Sequence, residues 1–243
     1  MKAAAVLFPL LLALACTPKD AADPAAGLLP ELRAYVEGLT GGMDQVPPER
    51  RAVLDAVAGD MVARLRDGHS ADLTFICTHN SRRSHLSEVW AVTAAYHHGL
   101  RRVRAFSGGT QVTACNCRTV TAMRRAGFEI ADATGAAEDD NPVYLVRFAG
   151  DRPPVRAYSK LYNADANPRE GFIALMTCSS ADRSCPVVAG AVARHAMHYA
   201  DPRLCDDLPT ETQAYDERCR EIARELFYLM GTVRARLAGS DPG

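Results

Sequence analysis

Apolar residues fall along this chain in two alternating patterns. Short unbroken runs end at a polar turn, and longer stretches repeat an apolar position every three or four residues. The runs at 72–76, 103–106 and 172–176 predict buried strands. The repeating stretches predict helices over 28–40, 47–66, from 84 onward, 118–126 and 210–237, the last with Ile222, Leu226, Leu229, Val233 and Leu237 on one face. Breakers stand where these stretches must stop: Gly41-Gly42, Gly99 and Gly127, with Pro47 and Pro48 suited to an opening turn. Two alternating segments, 142–148 and 155–159, flank Gly150-Asp151-Arg152-Pro153-Pro154 and predict a β-hairpin. Strands alternating with helices imply a parallel sheet covered on both faces.

Such sheets place their sites beyond the carboxyl ends of the strands. Cys77 follows the first strand and Cys178 a later one, so both are expected on one rim, and Cys178 becomes a candidate redox partner of Cys77. Around Cys77 the run Phe75-Ile76-Cys77-Thr78-His79-Asn80-Ser81-Arg82-Arg83-Ser84 joins a strand to a helix, with an arginine six positions beyond the cysteine. A loop of that length can turn successive N–H groups inward. The helix N-terminus adds partial positive charge, and Arg83 adds a planar fork of donors. That cradle suits a tetrahedral oxyanion, and its positive field favours the thiolate that acts as nucleophile. A buried cysteine acting only as a small hydrophobe is the plain alternative.

With 243 residues and 48% hydrophobic content, the chain can bury one main core. A net charge of -1 and the lack of basic runs exclude an electrostatic footprint for nucleic acid. Met1-Lys2 followed by an apolar stretch through Ala15 predicts a secretory signal, since a spanning helix needs about 20 apolar residues. Ala13-Leu14-Ala15 precedes Cys16, which looks like the acylation site of a bacterial lipoprotein. The expected organisation is therefore a signal peptide over 1–15, a tether over 16–27, a helical extension over 28–68 and the main domain over 69–243. The protein is expected to be exported and anchored through lipid to a membrane on its periplasmic side. An apolar helix packed on the domain is the alternative reading of the first segment. An oxidising compartment would favour disulfides among the seven cysteines beyond Cys16. No metal is expected, because Cys115-Asn116-Cys117 is too tight for the usual zinc pair.

Residues 75–91 resemble the signature of low-molecular-weight protein tyrosine phosphatases and, more closely, of thioredoxin-coupled arsenate reductases. Ser107-Gly108-Gly109, the segment 118–123, the segment 176–186 with two cysteines seven positions apart, and Asp201-Pro202 extend the similarity. The resemblance covers 72–237, with 142–169 as an insertion. It implies a flavodoxin-like α/β three-layer sandwich with a short parallel sheet, an inserted β-hairpin and an N-terminal helical extension. It also implies roles: Cys77 as nucleophile, Arg83 and the loop Thr78, His79, Asn80, Ser81, Arg82 and Ser84 as oxyanion cradle, and Asp201 as general acid. Cys178 and Cys185 would relay a disulfide outward. Arsenate would thereby be reduced without a cofactor, with a thioredoxin-like thiol reductant as partner. A phosphatase acting on phosphomonoesters through phosphocysteine, and a non-catalytic oxyanion-binding lipoprotein, are the alternatives.

The chain departs from the pattern in two places. His79 stands where the family usually has glycine, and Arg82 replaces a common cysteine, adding positive charge near the mouth. Trp90 is expected in the core, Glu88 as a solvated helix carboxylate, and His85, His195 and His198 in core or surface roles.

Overall fold

The computed structural model describes residues 27–134 and 140–239. Cys16, the signal and most of the tether lie outside the described residues. Helices α1 (Pro30–Thr40) and α2 (Pro48–Arg66) each open on a proline, which lacks the N–H that the first turn cannot pair. A parallel sheet of four strands follows: β1 (Ala71–Cys77), β2 (Val103–Gly109), β6 (Phe172–Met176) and β7 (Ala191–Ala196), in spatial order β2-β1-β6-β7. Counting these strands alone, the order is 2-1-3-4, the doubly wound flavodoxin-like order, and its reversal falls between β1 and β6.

Side chains alternate across the sheet. Leu73, Phe75, Ile173 and Leu175 face the large core built with α2, the helix α3 (Arg83–His97) and the helix α6 (Glu211–Leu237). Ile76, Phe172, Ala174 and Met176 face a smaller cluster with Cys77, Cys178, Ala181 and Val188. The second face is thus covered by the short α5 (Ser179–Ser184) and by inserted coil, a thinner layer than the first. Trp90 is completely buried, stacked near Tyr35 and edge-on to Phe128.

Helix α4 (Cys117–Arg125) is capped by the Asn116 side chain, which accepts from Arg118 N. The inserted hairpin exists as β4 (Tyr144–Arg147) and β5 (Val155–Ala157), but it is part of a larger unit. The strand β3 (Glu129–Asp132) pairs antiparallel with β4, making three strands in the order β3-β4-β5. Four exposed or half-exposed residues form β3, so it carries no apolar run in the sequence. The edge strand β7 was equally hidden, because Arg194 and His195 interrupt its apolar positions.

Candidate active site

Cys77 is the last residue of β1, and the next five residues turn back over its sulfur before α3 begins. Two groups reach that sulfur, and a third contact ties them together. The Asn80 N–H donates to Cys77 Sγ at 3.2 Å, Ser84 Oγ lies 3.2 Å from the same sulfur, and Asn80 Nδ2 donates to Ser84 Oγ at 2.9 Å. Asn80 has φ 45, in the left-handed region that asparagine tolerates better than most residues. Its amide oxygen accepts from Lys160 N at 2.9 Å, so both ends of this fully buried side chain are used.

The loop rests on β2 at a close approach. A Cβ on Gly109 would meet Asn80 N and Thr78 O at 2.8 Å, which only glycine avoids. Gln111 N donates to Thr78 O, and Asn116 N to Ser81 O, at 2.8 and 3.0 Å. His79 keeps its place because its carbonyl accepts from Ser159 Oγ at 2.8 Å and from Thr113 Oγ1 at 3.1 Å. Ser159 is held in turn by Asn141, whose amide pairs with both its N–H and its carbonyl. Ser159 and Lys160 belong to the insertion, and no spacing in the sequence marks them as loop supports.

Arg83 opens α3 and spans to the segment beyond β7. Its Nη1 donates to Tyr199 O at 3.1 Å and its Nη2 to Asp201 Oδ2 at 2.5 Å. That segment is placed by continuing the ladder: Met197 N donates to Met176 O and Tyr199 N to Thr177 O. The other Asp201 oxygen caps the 3-10 turn over Pro202–Cys205 by accepting from Arg203 N. The candidate acid and the candidate clamp are therefore already partners. Arg218, packed nearby, has its pKa lowered, chiefly by burial, with Arg83 among the lesser causes.

Arg82 does not add charge to the mouth as expected. Its Nε donates to Tyr215 OH at 2.6 Å and its Nη2 to Asp206 Oδ2 at 2.8 Å, so a carboxylate neutralises it. Glu88 is buried rather than solvated and faces the buried ring of His85 at 3.9 Å. Burial disfavours a charged His85, but Cys115 and Glu88 outweigh it and hold the pKa at about 9. His195 and His198 pair with Asp60 and Asp182, at 2.7 and 3.0 Å.

Cys178 follows β6 and caps α5, its sulfur accepting from Ala181 N at 3.3 Å. Thr78 Oγ1 lies 3.5 Å from that sulfur. Thr177 ties this strand end to β1, donating to Ile76 O through both N–H and hydroxyl. Cys185 ends α5, half-buried against the same small cluster that contains Cys77 and Cys178. Arg194 grips the helix by bonding Cys185 O, Asp182 O and the Asp182 carboxylate. All seven described cysteines are free thiols. Cys219 lies in the core beneath Trp90 Nε1, at 3.2 Å, where burial pushes its thiol up to about 12.

Cys77 thus lies under a loop that donates to its sulfur, at the switch point of a doubly wound parallel sheet. Residues 72–139 match the family model of the low molecular weight phosphotyrosine protein phosphatases. An arsenate reductase of Bacillus licheniformis is 28% identical over 147 residues, covering 60% of this chain and 85% of the relative. An "arsenate reductase 2" of Staphylococcus epidermidis is 24% identical over 153 residues, covering 59% of this chain and 95% of the relative. Among solved structures, a low molecular weight phosphotyrosine phosphatase from Vibrio cholerae is 10% identical with a TM-score of 0.45, covering 67% of this chain and 96% of the other. Through residues 72–139 and these relatives, the chain is similar to the superfamily of low-molecular-weight phosphotyrosine phosphatases and arsenate reductases, and the matches indicate an enzyme of that superfamily.

Proposed function

We propose that this enzyme reduces arsenate to arsenite through Cys77, Cys178 and Cys185, and that lipid on Cys16 anchors it to a membrane on the periplasmic side. The superfamily's substrates are oxyanions or phosphate esters, and two phosphatase requirements, the loop and Asp201, serve either chemistry. The observation that favours reduction is the 3.5 Å approach of Thr78 Oγ1 to the buried Cys178 thiol, with Cys185 at the far end of the same short helix. Ester hydrolysis has no use for either cysteine. The relatives named arsenate reductase support the same reading.

In the proposed course, the oxyanion takes the Arg83 fork and the loop N–H groups, which frees Asp201 Oδ2. The Cys77 thiolate attacks arsenic, Asp201 gives a proton to the departing oxygen, and water leaves as the S–As bond forms. Cys178, losing its proton to solvent, then attacks the Cys77 sulfur. The electron pair of the S–As bond stays on arsenic, which falls from the +5 to the +3 state and departs as arsenite. The Cys77–Cys178 disulfide passes to Cys178–Cys185 when Cys185 attacks, and an external dithiol of the thioredoxin type opens it by exchange. Sulfur supplies both electrons.

Product analysis with arsenate and an aryl phosphate side by side tests the proposal. Arsenite formation that needs a dithiol, and disappears in Cys178→Ser while aryl phosphate hydrolysis persists, is the expected result. Aryl phosphate turnover with no arsenite formed makes the protein a phosphatase, and tight oxyanion binding without turnover makes it a binding module. Equal membrane partition of wild type and Cys16→Ser would overturn the lipid anchor.

A further inference from the structure

Beside the loop lies a cleft of about 540 Å³, lined among others by His79, Ser81, Cys115, Cys117, Tyr144 and Arg203. Its two thiols have no part in the relay. Between them Asn116, with φ -67 and ψ 131, caps α4, and the residues on either side of it both line the cleft. Both bear on the Tyr144 hydroxyl, whose pKa is raised first by burial and then by Cys115, Asp132 and Cys117. Cys117 is exposed at the start of α4, whereas Cys115 is 2% exposed. Behind Cys115 is the buried His85 ring. Its Nδ1 lies 3.2 Å from Ser107 Oγ, its Nε2 has no hydrogen-bond partner, and Cys115 heads the influences that keep it protonated against burial.

Two soft sulfurs two residues apart on the wall of one cleft suit a thiophilic centre that closes a ring through both. A hard divalent cation would need more oxygen donors. Among the described residues, no group of three His, Cys, Asp or Glu side chains is gathered to supply them. His79 and Ser81 belong both to the cleft wall and to the loop, so these thiols adjoin the loop that covers Cys77. We infer that Cys115 and Cys117 form a chelating dithiol that captures trivalent arsenic. The source of that arsenic rests on the proposed reduction, but the chelation does not. As arsenous acid binds, two S–As bonds form, two As–O bonds break, the thiol protons leave with the two hydroxyls as two waters, and the third hydroxyl stays on arsenic. No oxidation state changes.

The probe is phenylarsine oxide, read by intact-protein mass spectrometry on a chain whose Cys16, Cys77, Cys178 and Cys185 are replaced by Ser. This chain should gain one phenylarsine oxide less one water. Adding Cys117→Ser should abolish the gain, and adding Cys205→Ser should leave it. No adduct, or one that survives Cys117→Ser, overturns the inference. In the otherwise native chain, where folding is not in question, Cys117→Ser should lower the arsenical stoichiometry by one, and an unchanged stoichiometry overturns the inference equally. Arsenate turnover is assayed separately, so loss of the adduct and absence of reduction are distinct results.

Discussion

Replacing Asn80 by Ala tests how the loop is held over the catalytic sulfur. The substitution removes the acceptor for Lys160 N–H and the donor to Ser84 Oγ, both at a site with no exposed surface. The Lys160 N–H left without its partner costs about 1–3 kcal/mol, and the lost bond to Ser84 Oγ, which keeps Cys77 Sγ, adds about 0.5–1.5 kcal/mol. The left-handed backbone at φ 45 adds about 1 kcal/mol for a residue with a Cβ and no local hydrogen bond. The sum is about 2.5–5.5 kcal/mol, a large share of the roughly 5–15 kcal/mol that holds a typical domain. Urea unfolding followed through Trp90, the single tryptophan and fully buried, reads the change. Asn80→Gly relieves only the backbone part and should recover about 1 kcal/mol at most. A loss below about 1 kcal/mol in Asn80→Ala, or a Gly variant as stable as wild type, would refute the reasoning.

His85 gives a pH signature. Its folded pKa of about 9 exceeds the unfolded value near 6.5, so its stabilisation is complete below pH 6.5 and is lost as pH rises through 9. Unfolding free energies from urea titrations at pH 6 to 10 should fall by on the order of 3 kcal/mol more in wild type than in His85→Gln, and parallel profiles would contradict the buried imidazolium. The neighbouring arginines should separate cleanly. Arg82→Met removes the guanidinium that bridges Asp206 and Tyr215, leaving Asp206 the Tyr215 hydroxyl, and should destabilise by about 1–3 kcal/mol while changing kcat/KM only a few-fold. Arg83→Lys loses the planar fork and should cost on the order of 100-fold in kcat/KM with little change in stability. Steady-state kinetics and urea unfolding on both variants check the contrast.

The long helices and the two central strands β1 and β6 are legible because burial leaves an apolar imprint: residues 71–77 and 172–176 are buried throughout. The strands that escape, β3 and β7, lie at sheet edges with half-exposed polar residues, and their pairing comes from neighbours distant in sequence. The loop is legible for a similar reason, since backbone geometry ties Cys77, Asn80, Ser84 and Arg83 into one short segment. What supports the loop is not. Ser159 and Lys160 reach it across 80 residues, one of them through a backbone N–H that any residue but proline supplies. Arg82 reads as free charge in sequence because its partners, Asp206 and Tyr215, stand more than 120 positions away. Glu88 misleads likewise, since a helix carboxylate looks solvated until His85 is seen buried beside it.

The account depends on a reactive thiolate at Cys77 inside an oxyanion cradle, although that residue is only 3% exposed. Timed iodoacetamide labelling, with each cysteine followed by peptide mass spectrometry in the presence and absence of arsenate or phosphate, measures this directly. Cys77 should be alkylated faster than the exposed Cys117, and saturating oxyanion should protect it. Labelling of Cys77 no faster than Cys117, or unaffected by oxyanion, would contradict the account.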